Sequence, residues 1–382
     1  MAALSPENIA SPIRALPFWL SLGTVPVALL SLQSGGIWVM ALPLWCWVLF
    51  SLLDAALGLE EANADPAAPD SALRLYRLLT LIWFPLQLAV LGLYLWQIPR
   101  SDHLSGWEKA GLVFGLGVMC GTIGINYAHE LMHQKPKTER ISADLLLASV
   151  LYSHFRSEHL RVHHLYVGTP RDAVTARYNE GFHRFFPRVL IGTRRSAFRA
   201  EAAMLARKSL PWWHGTNPYW RYWALQGGFL LLALALGGAE GLAIFLGQAF
   251  VATWQLELVN YVEHYGLTRR YLGEGRYEHT QPRHSWNAAH KATNWLLINL
   301  QRHSDHHYKP DRRFPLLQTY SEAEAPQLPY GYPMMACAAM IPPLWKRIMN
   351  RRVKAWRRQF YPDIQDWHAY NKALNPMPKG AP

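Results

Sequence analysis

Cysteine is scarce in this chain: Cys46, Cys120 and Cys337 are its only three, far apart and never paired as Cys-x-x-Cys. That spacing excludes a zinc ribbon, a rubredoxin-type centre or an iron–sulfur cluster built on cysteine, and leaves the three as small apolar residues. No phosphate-cradling loop, nucleophile triad, flavin, haem or nicotinamide motif is present either. Any redox reaction run by this protein must draw its electrons from elsewhere. The start "MAALSPENIASPIRALPFWL" lacks a basic stretch and a small-residue cleavage pattern, so no cleavable signal peptide is expected. Acidic residues are few, 26 against 38 Lys and Arg, for a formal net charge of +12.

Long apolar runs are what the chain does have. Six of them, at roughly 14–33, 37–58, 75–97, 108–128, 222–237 and 240–262, approach the ~20 residues that carry a helix across a bilayer. The mean hydropathy of −0.05 hides them by averaging in two polar segments. Residues 134–222 hold 15 Lys and Arg against 6 Asp and Glu, and residues 265–382 hold 18 against 8. The positive-inside rule puts both segments and both termini in the cytoplasm, which six spans allow. The expected fold is an all-α integral membrane protein of about six transmembrane helices with a cytoplasmic, histidine-rich helical cap holding a di-metal site. Residues 1–262 would form the bundle, with 134–222 inserted, and 263–382 the rest of the cap. The stretch 141–155 is too short to span and reads as buried or interfacial, and 332–345 is broken by prolines. "GLGVMCG" at 115–121 reads as helix-packing glycine.

The 17 histidines are not evenly spread. "HELMH" puts His129 and His133 at i and i+4, on one helix face. "EHLRVHH" repeats the spacing with His159 and His163 and adds His164. "QRHSDHH" brings His303, His306 and His307, and "EHYG" adds His264. All fall at one membrane face, on the polar segments. A lone histidine is usually a hydrogen-bonded core or surface residue; nine in this pattern point to metal. A first-row ion takes at most about six ligands, so nine imply two ions with four or five histidines each. "HELMH" also fits an intramembrane zinc protease, with the Glu as base. That chemistry would leave six histidines idle. A histidine-lined metal transporter would place polar residues at mid-membrane on several spans, and here they cluster at one end.

On these motifs the chain resembles the membrane-bound histidine-box enzymes, the di-iron fatty acid desaturases and hydroxylases. Within them it is most similar to the bacterial alkane 1-monooxygenases. "HELMHQ", "EHLRVHH" and "LQRHSDHH" correspond to their three boxes, "NYVEHYGL" to a fourth signature and "RYEHTQPRHSWN" to the pattern that follows it. The resemblance implies two non-haem iron ions held by the nine histidines. It implies terminal hydroxylation of medium-chain n-alkanes by O2 and two electrons, with a fatty acid desaturase or xylene-type hydroxylase as the neighbouring alternatives. Gln134 stands where the family commonly has Lys, and Val162 where it commonly has Gly.

Each box carries an acid beside a ligand: Glu130, Glu158, Glu263 and Asp305. Adjacent helical side chains diverge by about 100°, so each acid should turn from its neighbour's metal and either orient a histidine of another box or pair with arginine. Asp172 and Asn260 are further candidates for such support. His154, His279, His284 and His290 are near misses that lack the paired spacing; His284 and His290 read as structural or as outer support for a ligand. Trp45 and Trp47 are the candidate walls of an apolar substrate tunnel. The implied electron source is a rubredoxin reduced by a flavin-dependent reductase, with Arg302, Arg312 and Arg313 as expected contacts. "NPMPKGAP" reads as the start of a linker to a fused carrier. The basic surplus is assigned to topology, anionic lipid and this carrier, not to nucleic acid. The expected location is the bacterial inner membrane, multi-pass.

Overall fold

The computed structural model describes residues 5–374, and among them the only strands form one short antiparallel hairpin, Tyr271–Gly273 with Arg276–Tyr277. Five helical segments are long and apolar enough to cross a membrane: α1 (Pro12–Ser34), α2 (Gly36–Leu57), α3 (Asp70–Arg100), α4 (Gly106–Met132) and, as α8 below, Pro218–His264. The cap adds α5 (Lys137–Ala148), α6 (residues 155–166) and α7 (Phe182–Ala206) before the span α8 (Pro218–His264), and α9 (Lys291–Leu296), α10 (His303–Tyr308), α11 (Tyr332–Ala339) and α12 (Pro342–Phe360) after it. One large apolar core runs from Ile9 to Tyr370, and a second, small cluster of Ala197, Tyr219 and Tyr222 joins α7 to the start of α8.

The fifth segment is two spans. Its helix is interrupted at Gly238, with φ 59° and ψ −149°, a conformation that L side chains rarely adopt. The arms then fold back on each other, for the rings of Phe229 and Phe245 stack at 6.1 Å, where a straight helix would hold them about 24 Å apart. Six crossings result, with the break between the two apolar runs 222–237 and 240–262.

The turns of the bundle collect at one end. Gly36 N–H donates to Glu108, Arg100 donates to Leu236 O at 2.7 Å, and Lys109 pairs with Glu240 at 2.9 Å. The first two hairpins and the Gly238 turn therefore share one face, and the long polar segments share the other. α4 is the central helix: 78% of its apolar window is buried, against 28% for α2. It lies against the second arm of α8 at glycines, where a Cβ at Gly117 would fall 2.8 Å from Gln248 O and one at Gly121 3.0 Å from Ala252 O. This packing brings the ends of α4 and α8, with His129 and His264, side by side.

Candidate metal centre

Four short helical ends supply the nine histidines. α4 brings His129 in its last turn and His133 just beyond it, and α8 ends on His264. In α6 the residues His159–His163 form a π-helical turn. The wider turn aligns i with i+5, so His164 reaches His159, Nε2 to Nε2, at 2.9 Å. His163 is left to point elsewhere. Val162 lies buried inside this turn. α10 carries the last three, after two non-glycine residues at positive φ, Ile298 (45°) and Asn299 (58°). Such a β-branched residue costs of order 1–3 kcal/mol and is held only where its surroundings over-determine it. Here Asn126 Nδ2 donates to Leu297 O at 2.7 Å and Asn299 Nδ2 to Phe314 O at 2.9 Å.

The rings sort into two groups. In the first, the Nε2 atoms of His129 and His159 are 2.9 Å apart, His129 and His306 2.9 Å, and His159 and His306 3.3 Å. His133 joins them, its ring 4.8 Å from His306 and 5.0 Å from His164, its Nε2 buried without a hydrogen-bond partner. In the second, His163 lies 3.2 Å from His307, His307 3.0 Å from His303, and His303 3.2 Å from His264. Two sets of four result, His129, His133, His159 and His306, and His163, His264, His303 and His307; His164 is counted with the first as a fifth member through its 2.9 Å approach to His159.

These distances fit metal. An imidazole nitrogen binds a first-row ion at roughly 2.1 Å, which sets neighbouring ligand nitrogens about 3.0–3.4 Å apart. His159 Nε2 faces three other ring nitrogens, and one proton cannot satisfy them all; a cation can. Burial first, then the neighbouring histidines, holds His159, His164, His303, His306 and His307 well below the usual imidazole range. Burial alone brings His133 down to about 3. All stay neutral, the form that binds metal.

The acids take different parts. Asp172 Oδ2 sits 3.0 Å from His163 Nδ1 and accepts from Thr175 Oγ1 at 2.7 Å, while Oδ1 accepts from Val174 N–H. Burial raises its pKa, but His163 and Thr175 outweigh that and keep it anionic. Glu263 Oε2 lies 3.3 Å from His303 Nε2, a histidine of another box. Asp305 faces away from the rings, accepting from Arg312 at 2.6 Å, Gln318 N–H at 3.0 Å and Tyr320 O–H at 2.7 Å. Glu130 accepts from Gln134, and Asn260 donates to Glu257. Both oxygens of Glu158 are buried without a hydrogen-bond partner, and burial, then Asp172 and Glu257, pushes its pKa well up.

His284 is bound to Tyr361 at 2.8 Å and Glu278 at 3.2 Å, away from the rings, and His154 packs on Tyr152. Neither they nor His279 and His290 join either group. Sequence reasoning missed Asn287, whose side chain accepts from Ser304 N–H at 2.9 Å and donates to Ser304 Oγ at 2.6 Å, fixing α10 from behind. A small apolar cavity of about 50 Å³ reaches the rings of His129, His159 and His303 between α4 and α8, lined by Ile125, Leu256, Val259 and Leu300. Trp45 and Trp47 lie outside its wall: Trp45 packs on Phe50, and Trp47 on Phe114 and Trp254.

Two buried histidine groups at one end of a membrane-spanning helical bundle define the histidine-box class, and the fatty acid desaturase family model matches residues 105–338. Within that class the comparisons are closer. The chain is 41% identical over 326 residues to alkane 1-monooxygenase 2 of Pseudomonas aeruginosa, covering 82% of this chain and 85% of that one. It is 35% identical to alkane 1-monooxygenase 2 of Alcanivorax borkumensis, covering 82% and 84%. The hydroxylase component of the xylene/toluene monooxygenase of Pseudomonas putida is 28% identical over 74% of this chain and 72% of its own. The chain belongs to the alkane 1-monooxygenase family, a family of oxidoreductases.

Proposed function

We propose that this protein is a non-haem di-iron monooxygenase that hydroxylates the terminal carbon of medium-chain n-alkanes. One O2, two electrons and two protons convert RCH3 to RCH2OH and water. The carrying observation is the pair of histidine groups, five Nε2 atoms in one and four in the other, at spacings that suit two ions. Iron, when bound, supplies the O2 activation and the oxidising power.

The residues of the chain do the rest. The nine histidines hold the ions, Asp172 fixes the tautomer and direction of His163, and Glu263 stands against His303. An alkane has no polar handle, so it is bound by burial alone; Ile125, Leu256, Val259 and Leu300 exclude water around its terminal carbon. The cavity beside the rings admits only the end of a chain, which favours attack at C1. The electrons come from a reduced rubredoxin, itself recharged by a flavin-dependent reductase. The basic segments support a cytoplasmic position for the histidine end, with the chain in the inner membrane.

Iron-loaded protein should hold two irons per chain and turn octane into 1-octanol with O2 and reduced rubredoxin. Active protein with one tightly bound zinc, or cleavage of a membrane peptide, would overturn the reading.

A further inference from the structure

Beside α6 lies an open cleft of about 740 Å³ between that helix and α7. Seven arginines line it, Arg161, Arg171, Arg177, Arg188, Arg195, Arg199 and Arg207, against one acid, Asp172. Asp172 is turned inward to His163. Arg161 and Arg188 are neutralised by Glu201 and Glu180. Arg195, Arg199 and Arg207 have no ion-pair partner among the described residues, and Arg177 Nε is buried without a hydrogen bond. With Arg171, which donates only to Gly275 O, five guanidinium groups thus line one space without an ion-pair partner among the described residues, an arrangement that self-repulsion disfavours unless a partner completes it.

The arginines expected from sequence to meet a carrier are engaged elsewhere. Arg302 is buried and donates to Leu317 O at 2.7 Å and Ala62 O at 3.1 Å; Arg312 pairs with Asp305, and Arg313 with Glu139 at 3.0 Å. They brace the cap.

We infer that the α6–α7 cleft is the docking surface for a small acidic one-electron carrier, and that electrons enter through its floor at Asp172 and His163. This rests on the functional reading above. A protein suits the cleft better than a phosphate or a lipid headgroup for two reasons. Its volume is large, and Leu165, 58% exposed, stands among the arginines as an apolar centre for a charged rim. The floor is one hydrogen bond from a histidine of the four-membered group, Asp172 Oδ2 to His163 Nδ1. Each docking passes one electron and leaves the carrier oxidised by one. Two reduced carriers and two protons are used per O2, one oxygen atom going to alcohol and the other to water.

The test uses full-length, iron-loaded protein in nanodiscs and an acidic rubredoxin. The cleft pair Arg195→Glu and Arg199→Glu is compared with a control pair of equal charge change on α12, Arg351→Glu and Arg358→Glu. Binding of the oxidised carrier is read by fluorescence anisotropy, which needs no turnover and so stands apart from the functional reading. The cleft pair should weaken binding about tenfold and raise the KM for reduced carrier in step, with kcat and the KM for alkane unchanged; the control pair should stay within about twofold. Equal losses in both pairs, or wild-type binding in the cleft pair, would overturn the assignment. So would an unchanged carrier affinity accompanied by weaker association with anionic-lipid nanodiscs, which would make the cleft a lipid site.

Discussion

Replacing Asp172 by Asn removes one negative charge and almost no volume, and its effect should fall on one metal ion and spare the other. Asp172 touches only His163 among the nine histidines, and His163 belongs to the group of four. The carboxylate is anionic and buried, so its bond to His163 is charge-assisted. Such a bond contributes roughly 1.5–3 kcal/mol against about 1 kcal/mol for a neutral one. Losing the charge should therefore cost roughly 1–2 kcal/mol of metal affinity, a factor of about 5–30, within the range found when outer partners of metal-bound histidines are changed. Titrating the purified variant with a chelator and measuring iron per chain should show a two-step loss, the weaker ion leaving at lower chelator than in the wild type. The stronger ion should leave where it did before. Asp305→Asn is the control, because Asp305 supports Arg312, Gln318 and Tyr320 and faces away from the rings. It should lower thermal stability and release both ions together. Equal weakening of both ions in Asp172→Asn, or none, would refute the division into groups of five and four.

His264→Ala should likewise deplete the group of four before the group of five, read as a fall toward one iron per chain by elemental analysis. Acidification should strip the metal: His133 is held at about 3, against about 6.5 for a free imidazole. A folded-state pKa depressed in this way leaves stability whole above pH ~6.5 and erodes it by up to about 1.4 kcal/mol per unit as pH falls toward about 3. Iron should leave in that window while helix content by circular dichroism holds, and simultaneous loss of both would show that the bundle is no independent scaffold. Gly238→Ala, at φ 59° and ψ −149°, a region essentially confined to glycine, should cost of order 1–3 kcal/mol and lower the unfolding temperature without changing iron content. Raising salt from about 0.05 to 0.5 M, which shortens the Debye length well below 10 Å, should weaken the carrier's affinity more than it slows peroxide-driven turnover.

What the sequence makes legible here follows from what each signal depends on. The spans and the nine histidines depend on local pattern: length of an apolar run, spacing along a helix. The grouping of the histidines does not. His163 and His164 are neighbours in sequence yet belong to different groups, because a π-helical turn rotates His164 toward His159, and no spacing rule announces that turn. The acids divide in the same way. A carboxylate beside a ligand histidine was an ambiguous sign, and packing resolves it case by case. Glu263 meets a histidine of another box, Asp305 meets arginine, and Asp172, the acid that holds His163, comes from a loop with no histidine beside it.

Aromatic size is a weaker sign. Trp45 and Trp47 are bulky residues in an apolar span that lie outside the small cavity beside the histidines, and that cavity is set by the helices that approach them, α4 and α8. Their approach is written in Gly117 and Gly121, where the missing side chain matters more than any large one. Charge shows the same limit. The surplus of arginine was plain from composition, whereas its use depends on which carboxylates lie opposite. Arg312 and Arg313, two adjacent residues near a box, are both consumed by buried acids, Asp305 and Glu139. Arg195 and Arg199, over a hundred residues away, are left facing the cleft. A cation's availability is thus a tertiary property, and it is the unpaired arginines that mark where a negatively charged partner has room to act.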